Sequence, residues 1–356
     1  GQKEALIALL NSNDNSACFL PTGGGKSLLF YYLALLQPNP TIVISPTRIL
    51  IRDQIRNMKN FHGITNVQFI DEEAVNKQNS LDLQAKFIFI TPFQLQHKHI
   101  IYIFIDSNVK QRISNIILDE IHTISHWGHD FRPDYLMLSF NLLTFIDKTR
   151  YVGFSATANF RVLNDIKNQL NLKSIIIPIE MTRDDITYRI LPCRNEGEMK
   201  DSFSDECNYI WTHAKTHSDK MMVFTKGSDI SKALKDSVPE GILYDIDVFT
   251  EHDPNSYSGF TSDRKCILIA DSELSVGLNF ENIHTVLHYG LPVSKGEFVQ
   301  SIGRSSREGK GALSIVLYRD KKYLDRFEQT VLDFSSSIDD LLNITDQMEK
   351  DNDISR

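Results

Sequence analysis

The chain has 356 residues, too many for one ordinary hydrophobic core, so two domains are the expectation. With 41% hydrophobic and 24% charged residues it has a soluble globular composition, and no run of about 18 uncharged apolar residues marks a membrane span. Its net charge of −8 requires any nucleic-acid groove to be built locally by the fold, and four scattered cysteines without a CxxC pair argue against a zinc ribbon and a disulfide framework.

Residues 1–10 are predicted to begin a helix, and 11–16 form a polar turn. A short apolar strand at 17–20 leads into Pro21-Thr22-Gly23-Gly24-Gly25-Lys26-Ser27, and an apolar helix follows over 28–36. Strand, glycine loop with Lys-Ser, then helix is the layout of a phosphate-binding loop. The glycines let backbone N–H groups curl around a phosphate, and the helix N-terminus adds positive potential. Lys26 is placed to reach the β and γ phosphates and Ser27 to ligate magnesium. The strict pattern asks for glycine where Leu20 stands, so a plain glycine turn is the alternative for this motif alone.

Strands are predicted at 41–45, 67–70 and 86–90, the first ending in Pro46-Thr47-Arg48 and the last in Thr91-Pro92. Pro46, Thr47 and Thr91 are candidates to contact a phosphate backbone; turn chemistry is the simpler reading of each. The longest apolar stretch, 87–105, is broken by His97, Lys98 and His99. Next comes 116–135, IILDEIHTISHWGHDFRPDY, which joins a buried strand to two acids, Asp119 and Glu120, and then to an aromatic loop. In open α/β sheets ligands bind at the carboxyl ends of strands. One acid there can hold a magnesium ion and its neighbour can polarise a water. Trp127, His129, Phe131 and Arg132 suit stacking on unpaired bases and pairing with phosphate. A further strand at 151–154 ends in Ser155-Ala156-Thr157-Ala158, a relay for the nucleotide state or a helix cap.

A strand at 174–179 closes this lobe, and 180–185 is a polar crossing point. A second strand-helix alternation follows, with strands at 221–225, 266–270, 284–288 and 312–317 and no phosphate loop. The segment 244–258 is short and acidic. In QSIGRSSR at 300–307, Arg304 and Arg307 are expected on one helical face, where one could act on a γ-phosphate; a solvated face is the plainer alternative. The tail 336–356 is acidic, with helical spacing at Ile338, Leu341, Leu342 and Ile344.

Taken together these motifs resemble superfamily 2 helicases of the RecQ-like branch. PTGGGKS looks like motif I, SPTRILIRDQ at 45–54 like motif Ia and TPFQL at 91–95 like motif Ib. DEIH at 119–122 is a variant DEAH box, and SHWGHDFRPDY at 125–135 resembles the aromatic-rich loop of RecQ-like enzymes. FSATA at 154–158, ADSELSVGLNF at 270–280 and QSIGRSSR are similar to motifs III, V and VI.

The resemblance implies an α/β fold of two tandem RecA-like lobes, 1–182 and 183–335, each a mainly parallel sheet flanked by helices, with a tail at 336–356. It implies ATP and magnesium as cofactors and a DNA-dependent ATPase moving 3′ to 5′ on single-stranded or partially duplex DNA. Gln2 would read adenine. Thr22, Gly23, Gly24, Gly25, Lys26 and Ser27 would bind the nucleotide, with Ser27 and Asp119 on magnesium and Glu120 as catalytic base. Arg304 and Arg307 would face the γ-phosphate, and His122 and Gln300 would couple the site to DNA. Trp127, His129, Phe131 and Arg132 would sense the strand. Repair or recombination is the implied setting, in the prokaryotic cytoplasm or nucleoid or the eukaryotic nucleus. Asn279 and Ser305-Ser306 depart from motifs V and VI, and no cysteine cluster or winged helix follows. Protein partners supplying such accessory parts are therefore expected, and the alternatives are an ATP-gated subunit of a larger complex or an RNA helicase.

Overall fold

The structure is a computed structural model. It describes residues 1–71, 82–106, 109, 111–125, 138, 149–156, 160–177, 185–217, 219–249, 256–271, 280, 282–292, 295–305, 311–320 and 322. The chain divides into two compact units, Gly1–Met181 and Thr182–Arg356.

The first unit is built on a seven-stranded sheet. Its strands are β1 Ser16–Phe19, β2 Thr41–Ile44, β3 Val67–Phe69, β4 Phe87–Ile90, β5 Asn115–Asp119, β6 Tyr151–Ser155 and β7 Ser174–Ile176. They are ordered β3-β4-β2-β5-β6-β1-β7 with every pairing parallel. Alternation along each central strand feeds two cores. Phe19, Ile44, Ile88, Ile90, Ile116 and Leu118 point to one face, and Cys18, Val43, Phe87, Phe89, Ile117 and Phe154 to the other. Burial on both faces is why these strands read as unbroken apolar runs. Because all run the same way, the turns after β1, β2, β4, β5 and β6 share one edge.

Helices α1 Gln2–Asn11, α2 Lys26–Leu35, α3 Arg48–His62, α4 Lys98–Ile105 and α5 Phe160–Gln169 belong to this unit. The thirds and fourths of α3 face inward: Leu50, Ile51, Gln54 and Met58 are buried. Thr47 caps it by accepting from the Leu50 amide at 3.2 Å. Gly63 ends it in the left-handed region at φ 65°, with Lys59 and His62 in the last turn against the negative end of the dipole.

The second unit carries β8 Ile186–Cys193, β9 Lys220–Thr225, β10 Ile246–Val248, β11 Ile267–Asp271, β12 Ile283–Tyr289 and β13 Ala312–Arg319. Their order is β10-β11-β9-β12-β13-β8, again parallel. Helices α6 Glu196–His217, α7 Ser228–Lys235 and α8 Lys295–Ile302 accompany them, with short turns Glu240–Leu243 and Ser258–Thr261. α6 buries Met199, Phe203, Cys207 and Ile210 at helical spacing against β9, β11 and β13.

Two strands here escape a reading of the sequence. β8 is an edge strand, half-exposed along its length and carrying Pro192, so it lacks an apolar signature. β10 lies inside the short acidic segment 244–258, where no strand was expected. Asp247 is buried there, paired with Lys265 at 2.8 Å and accepting the Phe260 amide at 2.8 Å. The strand expected over 174–179 is seen as Ser174–Ile176, and residues 180–184 of the crossing point and the tail fall outside the described residues. All four cysteines are buried thiols. Among the described residues no helix is long and apolar enough to cross a membrane.

Candidate active site

The glycine loop follows β1 and is shaped by backbone that only glycine adopts readily. Gly23 and Gly25 have φ of 79° and 81°. The Gly24 amide donates to the Pro21 carbonyl at 2.9 Å, and a Cβ on Gly24 would lie 2.9 Å from that same oxygen. Gly25 caps α2, so Lys26 and Ser27 occupy its first turn, where backbone N–H groups lack helical acceptors. From the start of α1, Gln2 Nε2 donates to the Gly24 carbonyl at 2.9 Å, and a Cβ on Gly25 would strike that amide. Thr22, Lys26 and Ser27 are half-buried. A loop closed by its own hydrogen bond, free of side chains and followed by a helix N-terminus with a lysine and a hydroxyl fits a polyphosphate.

On the same sheet edge, two strands away, β5 ends in Asp119. It is 5% exposed, and its Oδ2 accepts from Gln54 Nε2 at 2.7 Å and from Ser45 Oγ at 3.1 Å. Oδ1 accepts the Glu120 amide at 3.1 Å. Burial first, then the Glu120 charge, push the Asp119 carboxyl up to about 6, while Lys26 and the hydrogen bonds from Gln54 and Ser45 oppose the shift. A carboxylate in this state gains from a nearby cation, and with Ser27 it provides the hard oxygen donors magnesium takes.

Glu120 occupies the left-handed region at φ 48°, uncommon for a non-glycine residue. The turn is held because the Glu120 carbonyl accepts from the Thr123 amide at 3.0 Å and the Thr123 hydroxyl at 2.8 Å. His122, 3% exposed, places Nδ1 2.8 Å from Ser155 Oγ and 3.3 Å from Glu120 Oε2. The DEIH turn is thereby tied to the end of β6. Gly153 makes room for this, since a Cβ there would overlap the Ile121 side chain.

The other strand-end residues behave as caps. Pro46 is buried and Thr47 caps α3. Thr91 is 5% exposed; its amide and hydroxyl donate to Gln94 Oε1 at 3.1 and 2.7 Å. What faces outward from that turn is Phe93, 51% exposed, with its ring edge-on to His97 at 5.7 Å. Phe93, Ser45 and Gln54 are the residues that the sequence reading passed over. A polar residue on the buried stripe of α3 is the signal that marks Gln54. Trp127, His129, Phe131, Arg132 and Thr157 lie outside the described residues.

In the second unit Gln300 lies on α8 and is 2% exposed. The helix ends at Ile302, so Arg304 sits in the following turn, 6% exposed. This corrects the expectation that Arg304 lies on a helix, and its burial rules out the plainer alternative of a solvated face for this residue. Arg307 and Asn279 lie outside the described residues. Near α8, His288 Nε2 is 2.7 Å from Ser301 Oγ, which donates to the Phe298 carbonyl at 2.8 Å. The ring stacks on Phe224 at 5.5 Å, and burial pushes its pKa down to about 3. The turn after β9 caps α7 with Gly227 at φ 115°.

Comparisons with known proteins agree with this layout. A DEAD/DEAH box helicase family model matches residues 1–166, and a helicase conserved C-terminal domain matches 203–309. The ATP-dependent DNA helicase RecQ of Bacillus subtilis is 30% identical over 333 residues, 89% of this chain and 53% of that protein. The RecQ-like DNA helicase BLM of Xenopus laevis is 27% identical over 89% of this chain and 24% of its own length. The chain thus spans about half or less of these curated relatives. Among solved structures, S. cerevisiae Dbp5 bound to RNA and ADP BeF3 superposes with a TM-score of 0.70 at 18% identity, covering 98% of this chain and 92% of that one. Mycobacterium smegmatis helicase Lhr bound to ssDNA and AMP-PNP gives 0.69 at 16%, covering 90% and 46%. At such identities the likeness establishes the fold, two tandem RecA-like lobes.

Proposed function

The chain belongs to the RecQ-like helicases of superfamily 2, and from that premise we propose that it is an ATP-driven motor moving 3′ to 5′ along single-stranded DNA. The observation that carries the reading is a glycine loop latched by Gln2 on the same sheet edge as the buried Asp119 and the strained Glu120.

In this proposal Gln2 reads adenine, and Thr22 to Ser27 cradle the phosphates. Lys26 neutralises charge on the β and γ phosphates. Ser27 and Asp119 hold magnesium, which when bound screens the phosphate oxygens and the leaving group. Glu120 takes a proton from the water whose oxygen bonds to the γ-phosphorus as the bond to ADP breaks. Arg304 and Arg307 stabilise the transferred phosphoryl charge, and His122 and Gln300 couple hydrolysis to the strand. Pro46, Thr47 and Thr91 lie in turns assigned to the DNA backbone; Trp127, His129, Phe131 and Arg132 are assigned to strand sensing. Partners are partially duplex DNA and proteins that supply duplex-splitting parts. The place of action follows the DNA: prokaryotic cytoplasm or nucleoid, or eukaryotic nucleus.

The test is ATP hydrolysis with no nucleic acid, with single-stranded DNA and with single-stranded RNA, followed by tailed duplexes. Stimulation by DNA and preference for a 3′ tail are expected. Nucleotide binding without stimulation by either strand would overturn the motor, and preference for a 5′ tail would overturn the polarity. Trp127→Ala is expected to keep basal hydrolysis and lose its stimulation; normal stimulation would remove Trp127 from the sensor.

A further inference from the structure

The feature that carries an inference beyond these roles is Gln54. It lies on the inward stripe of α3 and is 5% exposed. Its side-chain nitrogen donates 2.7 Å to Asp119 Oδ2. An ionised carboxylate only accepts, so the amide can present only its N–H₂ side to Asp119. The carbonyl oxygen, Oε1, is thereby turned away from the acid, and it is buried with no hydrogen-bond partner among the described residues. A buried amide oxygen left bare is unfavourable, so the bond to Asp119 is what holds the side chain in this orientation. Magnesium demands near-ideal octahedral geometry, so the orientation of a carboxylate that ligates it matters.

We propose that Gln54 is a positioning residue for the cation: its buried N–H₂ group fixes the Asp119 carboxylate in the orientation in which it is offered to magnesium. Ser45 shares this task through a longer bond, its hydroxyl donating to the same carboxylate oxygen at 3.1 Å. The inference rests on the nucleotide-and-magnesium reading of the glycine loop and Asp119. Nothing in it concerns DNA, so it stands or falls separately from the motor assignment.

The experiment uses the whole chain and a fluorescent ATP analogue, first in EDTA and then across a magnesium titration. Gln54→Leu removes both hydrogen-bonding functions at similar volume, and Gln54→Met does so with a more adaptable stem should the leucine misfold. Either variant is expected to bind the analogue in EDTA within about twofold of wild type. Its magnesium midpoint is expected to rise by about 10- to 100-fold, the usual loss when an outer-shell partner of a metal ligand is removed. Ser45→Ala is expected to move the midpoint less, because the shorter Gln54 bond to the carboxylate remains. Thermal stability in EDTA is the control, since a packing role alone would lower it and leave the midpoint in place. A midpoint unchanged in the folded Gln54 variants would overturn the proposal while the nucleotide site stands. Failure of the wild type to bind the analogue at all would instead overturn the underlying site assignment.

Discussion

The two units repeat one architecture and bury opposite kinds of titratable group beside their strand ends. In Gly1–Met181 the group is Asp119, whose burial and acidic neighbour favour the protonated form. In Thr182–Arg356 it is His288, whose burial among Phe224, Phe298 and Ser301 favours the neutral ring. The first arrangement keeps a carboxylate under electrostatic tension that a cation would relieve; the second holds α8 through a neutral hydrogen bond. A shared fold therefore does not imply a shared task, and the division of labour is written in the strand-end residues.

The sharpest way to break this comparison is to remove the charges from the first unit. Lys26→Ala and Glu120→Gln are each expected to lower ATP turnover by about 100-fold or more, the size of a lost general base or phosphate clamp. Lys26→Ala should act through nucleotide affinity and Glu120→Gln through the maximal rate. Steady-state hydrolysis separates the two, and near-normal turnover in either would remove the nucleotide from this edge.

The pH dependence of stability in EDTA should separate the units next. The folded pKa of His288 is lowered to about 3 from 6.5, so between those values the unfolded chain binds the extra proton. Its contribution is complete above pH 6.5 and is lost as pH falls; from pH 6.5 to 5 the loss is about 2 kcal/mol. His288→Asn should flatten that acid limb. Asp119 has the opposite sign. Its folded pKa lies above the usual 3.8, so the native state binds the proton more tightly and stability falls as pH rises through about 4 to 6. Asp119→Asn should therefore abolish turnover and raise the melting temperature at pH 8, with the gain shrinking toward pH 4. Parallel pH profiles for the two variants would show that the contrast between the units is wrong.

The glycines refine the comparison. Gly25 and Gly227 both cap the helix after a central strand with positive φ. Gly227 has open space around its Cβ position, whereas Gly25 is crowded by Gln2. Gly227→Ala should cost about 1–3 kcal/mol of stability through backbone strain alone and leave nucleotide affinity intact. Gly25→Ala should cost about 1 kcal/mol of strain and also weaken nucleotide binding roughly tenfold by displacing Gln2. Urea denaturation and analogue binding, measured on both variants, give the split.

How much of this was legible in the sequence follows from the same physics. Strands buried on both faces, such as Phe87–Ile90 and Asn115–Asp119, announce themselves as apolar runs. The glycine loop and Asp119-Glu120 were readable because their chemistry fixes residue type and spacing. Edge strands were not: β8 is half-exposed along its length, and β10 is only Ile246–Val248 with a buried acid, Asp247, at its centre. Nor was the fate of Arg304, because a helix that stops at Ile302 has no stop signal beyond Gly303. Gln54 and Ser45 stayed hidden for a different reason. Their importance is a contact with Asp119, 65 and 74 positions along the chain, which no local pattern encodes.

The smallest effect concerns exposed rings. Phe93 follows the C-terminal end of β4, on the edge that carries the glycine loop and Asp119, and is 51% exposed. Tyr244 is more exposed, at 84%, but precedes β10 and so lies at the opposite end of its strand. If position on the sheet edge, rather than exposure, selects a ring for stacking on a base, only Phe93 should matter. Phe93→Ala is expected to weaken single-stranded DNA binding by about 1 kcal/mol, roughly fivefold, with no change in salt dependence because no ionic contact is lost. Tyr244→Ala should leave the affinity unchanged. Equal losses from both would mean that exposed rings bind the strand without regard to the edge, and the contrast between strand ends would fail at this point.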